Sequence, residues 1–204
     1  MATKTASLFE FENKYKNDGY KFIAGIDEAG RGPLAGPVVC ASVIMPLDDI
    51  VEGVNDSKKL TEKKREFLYD KIIEKAIAFK VCFIDQKVID EKNILQATKQ
   101  GMEICVKTMF VKPDFVLVDA VKGLNIDIPY LSIVHGDALS YNIACASILA
   151  KVSRDRFMLE MDKEYPEYNF KQHKGYGTKE HIQNLQKYGK CPLHRESFIK
   201  HFVS

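Results

Sequence analysis

The sequence has no CxxC pair, no internal repeat, no low-complexity tract and no apolar run near the length of a membrane span. Each absence closes a class of protein. Five cysteines (Cys40, Cys82, Cys105, Cys145, Cys191) are scattered and odd in number, which argues against a disulfide framework and for buried thiols in a reducing compartment. No Cys/His cluster has zinc spacing, Cys191-x-x-His194 being half a site at best. The stretch MATKTASLFEFENKYK holds no apolar core of signal-peptide length, so a soluble, cytoplasmic protein without a membrane partner is expected. Hydrophobic residues at 46% and charged residues at 28% remove disorder as the default and suit one domain with a small appendage.

A strong charge of one sign is also missing, the net charge being +2. Its distribution is uneven. Residues 1–150 carry 19 Lys/Arg against 21 Asp/Glu, whereas residues 151–204 carry 11 against 7 and four of the five histidines. A basic C-terminal quarter on a neutral body fits a polyanion touching one side.

What is present is organised around residues 22–37, FIAGIDEAGRGPLAGP. Phe22, Ile23, Gly25 and Ile26 read as a strand that delivers Asp27 and Glu28 at its tip. Gly30, Arg31, Gly32, Pro33, Gly36 and Pro37 follow, a loop in which bare backbone and an arginine suit a phosphate. Acids beside a phosphate repel it unless a divalent cation lies between them. A glycine-rich turn with two solvated acids is the plain alternative for this window alone.

Along the chain, residues 1–20 read as a loosely attached arm or short helix, and 21–27 and 38–46 as an antiparallel pair of strands. Thr61 can cap a helix to about Ala76. Residues 78–85 give a third strand, and Val88–Phe110 is helical with Asn93 as an internal cap. Phe115–Val118 reads as a strand buried on both faces and ends in Asp119. Ile126–Val134 supplies another strand, and His135, Gly136 and Asp137 follow it. The longest helix is expected from Ala138 to about Met161, with Asp137 as a candidate N-cap, and Thr178 starts a last one. The pattern predicts a mixed sheet with helices on its faces.

Asp27, Glu28, Asp119 and Asp137 thus fall where strands end or helices begin, and neighbouring strand tips converge on one rim. Hard oxygen ligands suit Mg2+ or Mn2+, and two such ions about 3.5–4 Å apart can activate a water and stabilise a leaving phosphodiester oxygen. One difficulty is local. Adjacent residues of a regular strand face opposite sides, so Glu28 joins Asp27 in one ligand shell only if the strand ends or bulges there.

GIDEAGRGPLAGPV, NDSKKL, LVDA, HGDALS, ASILAKVSRDR, HKGYGTKEH and LHRESF, in this order, closely resemble bacterial ribonuclease HII over nearly the whole chain. The resemblance implies a ribonuclease H-like α/β fold: a five-stranded mixed sheet flanked by helices, with a small helical C-terminal portion. It divides the chain into an arm (1–20), a catalytic core (21–162) and a basic substrate-binding portion (163–204). It implies an endonuclease, dependent on Mg2+ or Mn2+, that cuts the RNA strand of RNA–DNA hybrids. Single ribonucleotides embedded in duplex DNA are cut on their 5′ side, leaving 3′-hydroxyl and 5′-phosphate ends, as ribonucleotide excision repair requires.

The family's four catalytic, metal-holding acids fall on Asp27, Glu28, Asp119 and Asp137. Its substrate-sensing motif falls on Gly30, Arg31 and Gly32, and its junction-sensing tyrosine on Tyr176. Lys58, Lys174, Lys171 and Lys179 are candidate phosphate contacts. Either lysine or histidine is expected before Gly136–Asp137; His135 stands here, as a proton carrier or a rim residue. Arg154, Asp155 and Arg156 are expected to form an ion-pair network beneath the site. A DNA-only nuclease, a non-catalytic nucleic-acid-binding module and a small-molecule phosphatase are the rival readings. The first leaves the Gly30–Gly32 and Tyr176 motifs without a purpose, and the second has no use for four acids facing a phosphate backbone. A tether to a replication clamp is not readable from the sequence, and nothing in it argues for more than a monomer.

Overall fold

The computed structural model describes residues 7–55, 57 and 60–202. Five strands form one mixed sheet in the order β3-β2-β1-β4-β5. They are β1 (Ile23–Ala29), β2 (Val38–Ile44), β3 (Ala78–Ile84), β4 (Phe115–Asp119) and β5 (Tyr130–Ile133). The first three pair antiparallel, as the short loop between β1 and β2 requires, and β4 and β5 add parallel on the other side. Between β3 and β4 the chain crosses over by α3 (Gln86–Lys92) and α4 (Ile94–Thr108).

Asn93 does act as an internal cap, and more sharply than a continuous helix would allow. Its φ of 71° breaks the run, and its side chain accepts from the N–H groups of Leu95 and Gln96. Asp85 caps α3 in the same way, and Thr61 caps α2 (Glu62–Lys75).

The long C-terminal half differs from expectation at one point. The predicted helix from Ala138 is two helices, α5 (Gly136–Leu139) and α6 (Tyr141–Glu164). Ser140 separates them: it is extended and its side chain accepts from Ile143 N–H. Asp137 is therefore not the cap of the long helix. Its place inside α5 follows from a left-handed turn at His135, φ 58°. Leu139, the last residue of α5 before the break, is exposed.

Helix α6 crosses one face of the sheet and α4 the other. The first ten residues of α6 are buried on every side, so its interior face is wider than an amphipathic stripe. Close approach depends on Gly25: a Cβ there would lie 2.1 Å from the carbonyl carbon of Asn142. Asn142 locks the crossing, donating to Ile23 O (3.0 Å) and accepting from Met45 N–H (3.1 Å).

The described part of residues 1–20 is not loose. Helix α1 (Glu10–Asn17) places Glu12 wholly out of solvent, where Ser140 Oγ (2.6 Å) and Asn142 N–H (2.9 Å) donate to it. Burial holds its carboxyl above the usual carboxylate range despite those bonds. A polar-looking segment thus clamps the start of α6.

After α6 come α7 (Phe170–His173), α8 (Lys179–Tyr188) and α9 (Glu196–Ile199). Tyr168, Phe170, Cys191 and Leu193 pack with Ala35 and Met158. Among the described residues no helix is long and apolar enough to cross a membrane.

Candidate active site

The β1–β2 ladder runs without a bulge to Ala29, with Asp27 opposite Ala41 and Glu28 opposite Cys40. A regular ladder sends neighbouring side chains to opposite faces. Asp27 turns toward α6 and Glu28 toward the α4 side, yet both reach one cleft because they stand at the sheet's rim. That cleft, of about 300 Å3, is lined by Asp27, Glu28, Ala29, Gly30, Arg31, Gly32, Ser57, Asp119, Ser147, Lys151 and Tyr176.

Asp27 is 4% exposed. Its Oδ1 accepts from the N–H of Glu28 (2.7 Å), and the Ser147 hydroxyl bonds to it. Burial, and then the charges of Glu28 and Asp119, push its pKa well above the carboxylate range; the two hydrogen bonds oppose this and lose. Ser147 is held in turn by Ser57, hydroxyl to hydroxyl at 2.8 Å. Glu28 Oε1 meets Arg31 Nη1 at 3.3 Å. Asp119 closes β4, and its Oδ1 accepts from Gly136 N–H (2.7 Å). The turn behind it is tight: Val121 N–H bonds Asp119 O at 2.6 Å across Ala120, whose φ is 51°. Asp137 is buried one residue past Gly136 and does not line the cleft. His135 is exposed at the rim.

Two buried arginines build the loop after β1. Arg195, 0% exposed, donates to the carbonyls of Gly30 (2.6 Å), Arg31 (2.9 Å) and Gly36 (2.9 Å). Arg154, 1% exposed, donates to Ala35 (3.0 Å), Pro37 (3.0 Å) and Lys174 (2.9 Å). Burial lowers both below the usual arginine range, Arg195 to about 9, which leaves it charged at neutral pH. The peptide plane is trans, so carbonyls of Gly30 and Arg31 drawn to Arg195 leave the N–H groups of Arg31 and Gly32 pointing away from it. The expected Arg154–Asp155–Arg156 network is not one network. Asp155 pairs with Lys151 (2.7 Å) and Arg156 with Glu66, while Arg154 serves carbonyls.

Gly30 has φ 92°, and a Cβ there would lie 2.0 Å from Arg154 Nε. Gly30→Ala should therefore destabilise the fold by roughly 1–3 kcal/mol, read as a lowered midpoint in thermal melting. Gly32 meets nothing within 4 Å, so Gly32→Ala should melt like the parent.

Tyr176 stands across the cleft, 42% exposed, with the Arg154 guanidinium 5.7 Å from its ring centre. Its backbone rests on a chain of neutral histidines. His173 Nδ1 accepts from Gly175 N–H (3.2 Å), so its Nε2 donates to Tyr168 O (2.8 Å). His181 Nδ1 donates to Tyr176 O (2.9 Å) and its Nε2 accepts from His194 Nε2 (3.1 Å). His194 Nδ1 then accepts from Cys191 N–H (3.0 Å). Both nitrogens of His194 are engaged by protein groups, which leaves none for the half zinc site.

Burial draws His181 and His194 down to about 4. The unfolded rings titrate near 6.5, so between about pH 6.5 and 4 the unfolded chain binds more protons and stability falls as pH falls. The cost reaches about 3 kcal/mol per ring. Melting temperature against pH should be flat above about 6.5 in this respect, and His194→Gln should flatten the acid limb.

The structure thus brings Asp27, Glu28, Asp119, Gly30, Arg31, Gly32 and Tyr176 together. Lys174 is not among the lining residues; its ammonium sits on Lys171 O. Lys171 lies beside Asp162 and Lys179 begins α8, exposed. Lys58 lies outside the described residues. Ser57, Ser147 and Lys151 were missed, although Ser147 and Lys151 are four apart on one helix and so share a face. Among the described residues no three His, Cys, Asp or Glu side chains are gathered closely enough to hold a metal ion. The donor set is nonetheless all carboxylate, and mutual repulsion around Asp27 is what a divalent cation would relieve. Mg2+ commonly takes one or two protein carboxylates and completes its shell with water and substrate phosphate, so this rim fits it.

The family model described as ribonuclease HII matches residues 24–201. The ribonuclease HII of Caldicellulosiruptor bescii is 56% identical over 198 residues, covering 97% of this chain and 96% of that one. Among solved structures, the ribonuclease H2 of Pyrococcus horikoshii OT3 matches with a TM-score of 0.75 at 27% identity, over 87% of this chain and 93% of that one. The RNase HII in a PCNA complex from Archaeoglobus fulgidus matches with a TM-score of 0.72 at 26% identity, over 86% and 94%.

Proposed function

The chain belongs to the ribonuclease HII family, and from that premise we propose a cytoplasmic, monomeric endonuclease that cuts the RNA strand of RNA–DNA hybrids and the 5′ side of single ribonucleotides in duplex DNA. One observation carries the reading. The acids of β1 and β4 share a single open cleft with the Gly30–Gly32 loop and Tyr176, so phosphate chemistry and a sensor for sugar lie within one nucleotide's reach.

Telling RNA from DNA requires contact with the 2′-hydroxyl, which both donates and accepts. The outward N–H groups of Arg31 and Gly32 supply donors without a side chain in the way, and Tyr176 offers a ring to the sugar. Lys151 and Arg31 hold phosphate oxygens by charge rather than by base identity.

One or two of the rim carboxylates of Asp27, Glu28 and Asp119 would hold each Mg2+ or Mn2+ ion. Such an ion supplies Lewis acidity toward the phosphodiester and lowers the pKa of a water. The chain's own contribution is geometric. Ser147, held by Ser57, fixes the Asp27 carboxylate, and Gly136 N–H fixes that of Asp119. A water oxygen bonds to phosphorus in line with the departing 3′-oxygen. The P–O3′ bond breaks, leaving a 3′-hydroxyl on the upstream deoxynucleotide and a 5′-phosphate on the ribonucleotide.

The test is incubation with Mg2+ and a duplex carrying one ribonucleotide, beside an all-DNA duplex and a full hybrid. Expected is a single cut 5′ of the ribonucleotide and none in DNA. Tyr176→Ala should cost about 10²-fold on the single-ribonucleotide duplex, as misplacement near a reacting centre does. Cutting of plain DNA at a comparable rate would put a DNA nuclease in its place.

A further inference from the structure

Three of the five cysteines converge on the α4 face of the sheet, outside the cleft. Cys82 lies directly opposite Cys40 across the β2–β3 pair, so the two side chains share a face. Cys105 of α4 reaches the same spot: its S–H donates to Cys40 O (3.4 Å), and its sulfur neighbours that of Cys82. Gly101, one turn earlier, makes room, since a Cβ there would lie 2.7 Å from Cys40 Sγ.

The three thiols are not equivalent. Cys40 and Cys105 are buried, whereas Cys82 sits part-exposed on β3, the sheet's edge strand. Lys80, two residues earlier, shares its face. Cys40 is occupied elsewhere, turning its S–H to Thr98 O (3.5 Å). We propose that Cys82 and Cys105 form a peroxide-reactive dithiol, with Cys82 the attacking sulfur and Cys105 the resolving one. The neighbouring Cys105 thiol, with a smaller contribution from Lys80, outweighs burial and brings Cys82 down to about 7, near ambient pH where a thiol attacks best.

The Cys82 thiolate attacks hydrogen peroxide. An S–O bond forms, the O–O bond breaks, and hydroxide leaves and is protonated to water. Cys105 Sγ then attacks Cys82 Sγ. The S–S bond forms, the S–O bond breaks, and the departing hydroxide takes the Cys105 proton. Two thiols and one peroxide give one disulfide and two waters. The bridge tethers α4 to the edge strand, and it shields Cys82 from irreversible oxidation.

The test treats the folded full chain with equimolar hydrogen peroxide, alkylates the remaining thiols and maps the peptides. Expected is a Cys82–Cys105 cross-link, reversed by dithiothreitol, with Cys145 and Cys191 still reduced. Cys82→Ser should slow peroxide consumption by about tenfold or more. In Cys105→Ala, and in Cys105→Ser as a second packing, Cys82 should stop at a dimedone-reactive sulfenic acid. Three results would each overturn the proposal: unchanged peroxide consumption in Cys82→Ser, a Cys40–Cys82 bridge instead, or progress of Cys82 to sulfinic acid as readily in the parent as in Cys105→Ala.

Discussion

Asp27→Asn is expected to abolish cleavage while raising the melting temperature. The two effects have one cause. Asp27 is buried beside Glu28 and Asp119, and its ionised form is opposed by desolvation and by both neighbours. A raised pKa in the folded protein means that folding free energy is lost as pH rises above the carboxyl's unfolded pKa and is recovered as pH falls toward it. Asparagine removes the charge, keeps an acceptor for Ser147 and Glu28 N–H, and changes little in volume. Each kcal/mol recovered raises the midpoint by about 2–4 °C for a chain this long. Cleavage should fall by about 10³-fold or more, equivalent to some 4 kcal/mol of barrier.

Calorimetry with and without Mg2+ separates the contributions. The parent should gain about 2.7 kcal/mol of stability at a hundredfold excess over the ion's Kd, and Asp27→Asn much less. An unchanged midpoint in the variant without metal would mean that the repulsion is relieved some other way.

Arg195→Ala should have the largest effect on stability. Its guanidinium satisfies three carbonyls of one loop, two of them belonging to Gly30 and Arg31. Truncation leaves three acceptors short of partners at about 1–3 kcal/mol each, and opens a cavity. A loss of at least about 3 kcal/mol, seen as a midpoint lower by roughly 10 °C, is expected. Arg195→Lys should rescue little, because a lysine cannot span three carbonyls from one planar fork. The activity lost should exceed that explained by the unfolded fraction, since the displaced loop no longer aims the N–H groups of Arg31 and Gly32. Gly32→Ala is the complement: unchanged melting with weaker binding of the ribonucleotide duplex would locate the contact at the loop backbone.

These arginines also mark where reading the sequence stopped. Asp27 and Asp119 were legible because apolar runs end on them, and a strand that ends in an acid at a rim has few other uses. The sheet followed from the same runs, and Thr61, Asn93 and Thr178 announced helix starts. Ser140 gave no notice, since a serine amid helix-forming residues looks like an ordinary helix position; its hydroxyl donates to Glu12, a partner 128 residues away. Arg154 reads as part of an ion-pair network and Arg195 as a surface cation, and only the fold reveals that they face carbonyls more than 100 residues away. Glu12 was hidden for the same reason. Local pattern shows what a segment prefers, whereas these partners are set by long-range closure.

That closure has a consequence for the making of the protein. The loop at residues 30–37 emerges from the ribosome early, and Arg195 follows Gly30 by 165 residues. At about 5–20 residues per second the delay is roughly 8–33 s. For part of that interval the nascent chain can carry Asp27, Glu28 and Asp119 while the loop has neither Arg195 beneath it nor Tyr176 opposite. Synthesis order thus delivers the acids of β1 and β4 before the arginine that fixes the loop beside them, and a chain interrupted in between lacks that support.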